Sequence, residues 1–161
     1  MSEWKEYNLN EVYDFASGLS KGAAEFGFEY GFLGFTDIFK NFFVANELTS
    51  LVNSTEKEQQ SCSIKRGDVF LTRTSETDED LGMSSVALKD YPNAIFNGFT
   101  KRLRPKGNVE ILPEYAGFYY SLIYNIESLK PHITYYRFRI KRKRLCIKTK
   151  MASSSLKPTI S

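Results

Sequence analysis

The sequence predicts an α+β fold, a mixed, twisted β-sheet with a few short helices, and three observations lead there. Among 161 residues are 13 Phe and 10 Tyr, aromatics that suit a pleated, half-buried surface better than a helix bundle. Short apolar runs such as Val69-Phe70-Leu71 stand between turn sequences, Arg66-Gly67-Asp68 before them and Tyr91-Pro92-Asn93 after. One stretch, from Pro113 onward, spaces its apolar residues as a helix face. A 42% hydrophobic content supplies one core, and the length suits one domain.

The elements follow in order. Tyr7, Leu9, Val12, Tyr13 and Phe15 predict a strand, a turn and a second strand. Ser17 to Gly22 is a loop of small residues that ends on Lys21. Gly27, Gly31 and Gly34 interrupt an aromatic stretch from Phe26 to Phe35, which marks bulges or close backbone approach rather than a phosphate cradle. Thr36 to Lys40 predicts a single capped helical turn, and Phe42 to Val52 an extended, β-rich segment. Thr55-Glu56-Lys57-Glu58 spells a capping box for a polar helix over about 55–62. Asp68 to Thr74 is a strand, and Val69-Phe70-Leu71 is too uniformly apolar to wet one side. An acidic loop at Glu76 to Asp80 leads to strands at Ser84 to Leu88 and Ala94 to Leu103. Pro113 starts a helix to about 125, with Tyr115, Phe118, Tyr119, Leu122 and Ile123 as its apolar face.

Charge divides the chain. Residues 137–161 carry nine basic and no acidic side chains, a net +9, while residues 1–136 carry −6, so the overall +3 conceals an acidic body. Anion binding by that body has to come from local patches. Other classes are excluded by what the chain lacks. It has no apolar run of the length a membrane span requires and no signal-peptide pattern, so a cytoplasmic protein is expected. Cys62 and Cys146 are expected to be reduced thiols. The single His132 argues against His-based metal sites and catalysis, and no cofactor is expected. Arg66-Gly67-Asp68 reads as a tight turn, not an adhesion signal, and the acids from Glu76 to Asp80 as a solvated loop.

The ordered landmarks resemble a target recognition domain of a type I restriction–modification specificity subunit. Trp4 with Leu9-Asn10-Glu11-Val12 resembles the opening of such a domain, and Gly18-Leu19-Ser20-Lys21 its first loop on the DNA side. Ile64-Lys65-Arg66-Gly67-Asp68-Val69-Phe70-Leu71-Thr72 resembles its most recognisable stretch, a turn into an apolar strand. Phe96 to Arg104 resembles the returning strand, and Ile111 to Leu122 the helix near the domain's end. The resemblance covers about 4–123 and implies a DNA-reading domain over 1–123 followed by a divergent, poorly ordered basic tail over 124–161. It further implies a non-catalytic subunit that reads half of a split target in double-stranded DNA, beside methyltransferase and restriction subunits.

The resemblance makes Arg73, Thr74, Ser75, Ser84, Ser85 and Asn97 candidate base readers, since Arg suits guanine and Asn adenine. Lys21, Lys40, Lys101, Arg102 and Arg104 are candidate phosphate contacts. An ordinary solvated surface is the competing reading of each, and for Arg73 an ion pair with Glu76 or Asp78. The chain departs from the family plan after Tyr124, where no apolar heptad supplies a spacer helix. A truncated subunit is expected, with the Lys141 to Arg144 block either incidental or a non-specific DNA contact. The alternative from another class is a degenerate fragment that acts only in protein interaction, or not at all.

Overall fold

The computed structural model describes residues 4–39, 41–73, 83–125 and 144–148, with side-chain surroundings for those between 7 and 121. Its elements are β1 (Trp4–Asn8), α1 (Leu9–Val12), β2 (Tyr13–Ser17), β3 (Phe26–Leu33), α2 (Phe35–Phe39), β4 (Leu51–Val52), α3 (Glu56–Ser61), β5 (Val69–Thr72), β6 (Ser84–Val86), β7 (Ile95–Phe96), β8 (Thr100–Pro105), α4 (Pro113–Asn125) and β9 (Arg144–Lys148). A single 3-10 turn at Ala23–Glu25 precedes β3. The α+β class read from the sequence is the one observed.

A four-stranded antiparallel sheet, ordered β2-β8-β5-β6, is the middle layer. A mixed sheet, ordered β4-β3-β7, lies on its back face. Helix α4 lies on its front face against β6. Two apolar clusters fill the gaps, so the middle sheet is covered on both sides. Phe70 and Ala87 point back to Leu33, Ile38, Ile64, Ile95 and Phe96. Val69, Val86 and Leu103 point forward to Val12, Tyr13, Ala116 and Tyr120. That explains Val69-Phe70-Leu71: successive side chains alternate between two dry layers.

Local chemistry sets the boundaries. The capping box forms as spelled: Thr55 Oγ1 accepts from the Glu58 amide at 3.3 Å, and Glu58 Oε2 accepts from the Thr55 amide at 2.8 Å. Helix α2 begins where the Asp37 carboxylate takes the Gly34 amide at 2.8 Å. The turn into β5 needs Gly67 at φ +87°, a region L side chains avoid. Asp68 accepts the Lys65 amide at 2.8 Å across that turn, and the Gly67 amide donates to Ala87 at 2.8 Å.

Three expectations are corrected. Phe42 to Val52 is mostly not strand: beyond Leu51–Val52 it makes one parallel bridge, Phe43 to Val86, and the Tyr91 hydroxyl takes the Val44 and Ala45 carbonyls at 3.2 and 2.7 Å. Those side-chain bonds satisfy backbone groups that a strand partner would otherwise serve. Ala94 to Leu103 is two strands in two sheets, because the chain changes layers at Asn97. Helix α4 buries Ala116 and Tyr120, not Tyr115 and Phe118, which are exposed. Gly117 is the reason: a Cβ there would enter the Phe43 ring, so the glycine brings α4 down on that side. Arg144–Lys148 form β9, antiparallel to β1, and the rest of the expected tail after residue 125 lies outside the described residues.

Asp68 is fully buried and takes the Arg104 guanidinium as a two-pronged fork, Nε to Oδ1 at 2.8 Å and Nη2 to Oδ2 at 2.6 Å. The carboxylate beside it raises the Arg104 pKa above its ordinary value. Removing one partner leaves the other charge buried and uncompensated. Asp68→Ala is therefore expected to destabilise the fold by about 3–5 kcal/mol, read as a lowered urea midpoint.

Candidate nucleic-acid interface

Strand register assigns the site. Residues directly opposite in an antiparallel pair share a sheet face. On the front face, one row across the four strands is Phe15, Leu103, Val69 and Val86, and the next is Ser17, Lys101, Leu71 and Ser84. Arg73 and Phe99 follow one step further, where the Arg73 amide donates to the Phe99 carbonyl at 2.8 Å. The first row is the floor under α4. The later rows are the continuation of the same face.

That continuation is cationic and aromatic. Lys101 Nζ donates to Ser17 Oγ at 2.5 Å, which confirms that the two side chains share the face. Burial, and secondarily the charge of Arg73, lower the Lys101 pKa. Arg73 follows β5 and Lys101 lies opposite Leu71 on β8, so the two basic residues come to the same end of the sheet. Phe15 is 38% and Phe99 56% exposed at its edges.

The other candidate residues fall elsewhere. Arg102 and Arg104 point to the back face. Arg102 is buried over the Phe96 ring and donates to the Ser63 carbonyl at 2.5 Å. Arg104 is divided between Asp68 and Ser63, whose carbonyl it reaches at 2.9 Å. Both guanidinium groups are spent holding the 61–63 segment to the sheet, so neither presents a phosphate contact.

Lys21 is also taken. Its ammonium sits between Glu25 at 3.0 Å and Glu58 at 2.8 Å, with its side chain 6% exposed. Asn97 is buried: its amide donates to the Leu33 carbonyl at 3.1 Å, and its oxygen accepts from the Phe99 amide and the Thr100 hydroxyl, both at 2.9 Å. This Asx turn makes it a structural residue rather than a base reader. Ser84 and Ser85 are buried, on the front and back face respectively, and neither hydroxyl has a partner among the described residues. Lys40, Thr74, Ser75 and the acidic loop from Glu76 to Asp80 lie outside the described residues. Of the named candidates the structure brings Arg73 and Lys101 together. The sequence candidates do not include Ser17, Phe15 or Phe99; alternation by two from Lys101 points to Phe99, whereas Ser17 and Phe15 need the β2–β8 register, which no local pattern gives.

Comparison with known proteins follows the geometry. No family model matches the sequence, and no curated protein matches it. The HsdS subunit from Thermoanaerobacter tengcongensis superposes with TM-score 0.59 at 17% identity, over 89% of this chain and 33% of that one. A chain solved in work on complex assembly and conformational transition of the type I R-M system superposes with TM-score 0.57 at 18% identity, over 89% of this chain and 34% of that one. The chain therefore spans about a third of the length of the structures it matches.

The Lys21 clamp has a pH signature. Lys21 raises its own pKa chiefly through Glu58 and lowers that of Glu58. Glu25 is lowered chiefly by the Gly22 amide and then by Lys21. A depressed carboxylate pKa gives stability that is present above the ordinary carboxylate range and is lost as pH falls through the lowered value. A raised lysine pKa gives stability that persists until pH climbs through the raised value. Lys21→Met is thus expected to lower the urea midpoint near neutral pH, and the gap from wild type should close under strong acid. A gap that stays constant with pH would assign Lys21 a packing role only. The fold is the one these two type I R-M structures contain.

Proposed function

We propose that this chain is a sequence-specific DNA-binding module that reads one half of a split target for a type I restriction–modification system and catalyses nothing itself. The observation that carries this reading is the cationic end of the front face, Lys101 beside Arg73, on a fold shared with an HsdS subunit. A sheet packed on both faces holds Lys101 on β8 and Arg73 at the end of β5 in fixed positions, which register on a duplex requires. Thr74 and Ser75 follow Arg73 directly in the sequence and are further candidate base readers on this reading. Its partners on this reading are double-stranded DNA in the cytoplasm and, within the assembled system, the methyltransferase and restriction subunits. Among the described residues no helix is long and apolar enough to cross a membrane.

One observation favours the second reading, a fragment that acts through protein contact alone. Leu112, just before α4, and Tyr115 and Phe118 on it face outward, each more than half exposed, with Phe42 beside Phe118 at 6.4 Å. A patch of that kind suits a protein partner. DNA binding separates the two readings.

Lys101 is assigned to phosphate and Arg73 to a base edge, and their variants should differ in kind. Selection from a random duplex pool by the full chain is expected to return a short common sequence. Lys101→Ala should weaken binding to all sequences and flatten the log–log salt dependence by about 1. Arg73→Ala should relax preference at one base pair by about 1–3 kcal/mol. An unaltered base preference in the Arg73 variant, or no selected sequence at all, overturns the reading.

A further inference from the structure

Phe99 is a large apolar side chain displayed in water on a rigid mount. It sits at the tip of the turn between β7 and β8, 56% exposed, and among the described residues packs against no other ring. Most other exposed phenylalanines have an aromatic neighbour: Phe26 meets Phe32, and Phe42 meets Phe118.

The turn beneath Phe99 is fixed from several sides. Asn97 Oδ1 holds the Phe99 amide and the Thr100 hydroxyl, and Asn97 Nδ2 is anchored on Leu33. Leu19 bridges to Asn97, with its amide on the Phe96 carbonyl at 3.0 Å. Gly18 lies so close to the Phe96 and Asn97 carbonyls that a Cβ would overlap them. The Arg73 amide holds the Phe99 carbonyl from the other side. Ordering entropy at this tip is therefore met by the fold and not by a ligand.

The surroundings say what the ring is for. Lys101 is two residues on, and Arg73 is bonded to the same residue. An exposed ring alone is ordinary surface. An exposed ring on a fixed turn, with Lys101 two residues along the strand and the Arg73 backbone bonded to the Phe99 carbonyl, matches a ligand with phosphates outside and flat apolar faces within, a nucleic acid duplex.

We infer that Phe99 is a wedge that enters duplex DNA between two base pairs while Lys101 and Arg73 hold the flanking phosphate and base edge. This rests on the DNA-binding reading and adds a specificity term to it. Insertion unstacks a base step, which costs least at pyrimidine–purine steps. The wedge should thus select such a step without hydrogen-bonding to it.

The test uses the full chain and a duplex it selects from a random pool, with 2-aminopurine placed at each adenine position in turn. Wild type should brighten the fluorophore at one pyrimidine–purine step. Phe99→Ala should abolish that signal, weaken binding about 5- to 100-fold and leave the salt slope unchanged, since it removes stacking and no charge. Phe99→Trp should restore both signal and affinity. Equal thermal unfolding of the variants shows that the fold is intact. Binding with no local brightening, or an Ala variant that behaves as wild type, overturns the wedge and leaves DNA binding standing. Absence of any selected duplex overturns both.

Discussion

The ion pair between Asp68 and Arg104 is the constraint on which the rest depends. Asp68 is fully buried, so its charge has to be matched within the protein. One oxygen takes Arg104 Nε, and the other takes Arg104 Nη2 and the Lys65 amide. A single carboxylate thereby closes the turn at Gly67, starts β5 and ties it to β8. Arg104 passes the constraint on to Ser63, which fixes the connection from α3. A bidentate fork admits one angle of approach, so the register between β5 and β8 follows from it. A slip of one residue would invert every front and back side chain.

That register decides which basic residues are structural and which face outward. Lys101, Arg102 and Arg104 are near neighbours in sequence, yet the period of two sends Lys101 to one face and both arginines to the other. The back face is sealed by the β4-β3-β7 sheet, so its guanidinium groups must be satisfied inside. They bond there to Asp68 and to the Ser61 and Ser63 carbonyls, with the Arg102 Nε the one buried guanidinium nitrogen of the pair without a hydrogen-bond partner among the described residues. The front face is sealed by α4 along the Val69–Leu103 row. Lys101 lies one row further along that face.

Much of the fold was legible because it is written in local chemistry. The capping box at Thr55 and Glu58, the turn at Gly67 and the helix start at Pro113 each need only a few adjacent residues. The doubly buried strand at Val69 was legible because no half-wet strand tolerates three apolar residues in a row. What failed was non-local. Nothing beside Asn97 says that its amide will reach Leu33, 64 positions away, and break one strand into two. The loop around Lys21 reads as a basic tip until Glu58 arrives from 37 positions on. Polarity in the sequence marked residues able to bond, and burial decided whether they bond to the fold or to a ligand. Asn97 and Arg102 are polar, buried and bonded to the fold, and nothing in their own sequence neighbourhood announces it.

The acidic balance of the first 136 residues sharpens what the patch can do. At −6 that segment repels a polyanion, so a broad electrostatic footprint does not explain DNA binding. The Lys21 clamp adds to this, two carboxylates around one ammonium leaving a net negative spot near the loop once taken as a phosphate contact. On the proposed reading Lys101 meets a phosphate and Arg73 a base edge, so few phosphates would be neutralised, and non-specific affinity scales with that number. A reader of this kind gains little from sliding on arbitrary DNA and more from contacts that depend on sequence. Rigidity then replaces charge: side chains on a sheet fastened by the Asp68–Arg104 pair lose little freedom on binding, so each correct contact retains more of its free energy. The buried fork at Asp68 and the outward Lys101 are in this sense one arrangement, since the first holds still the strand that presents the second.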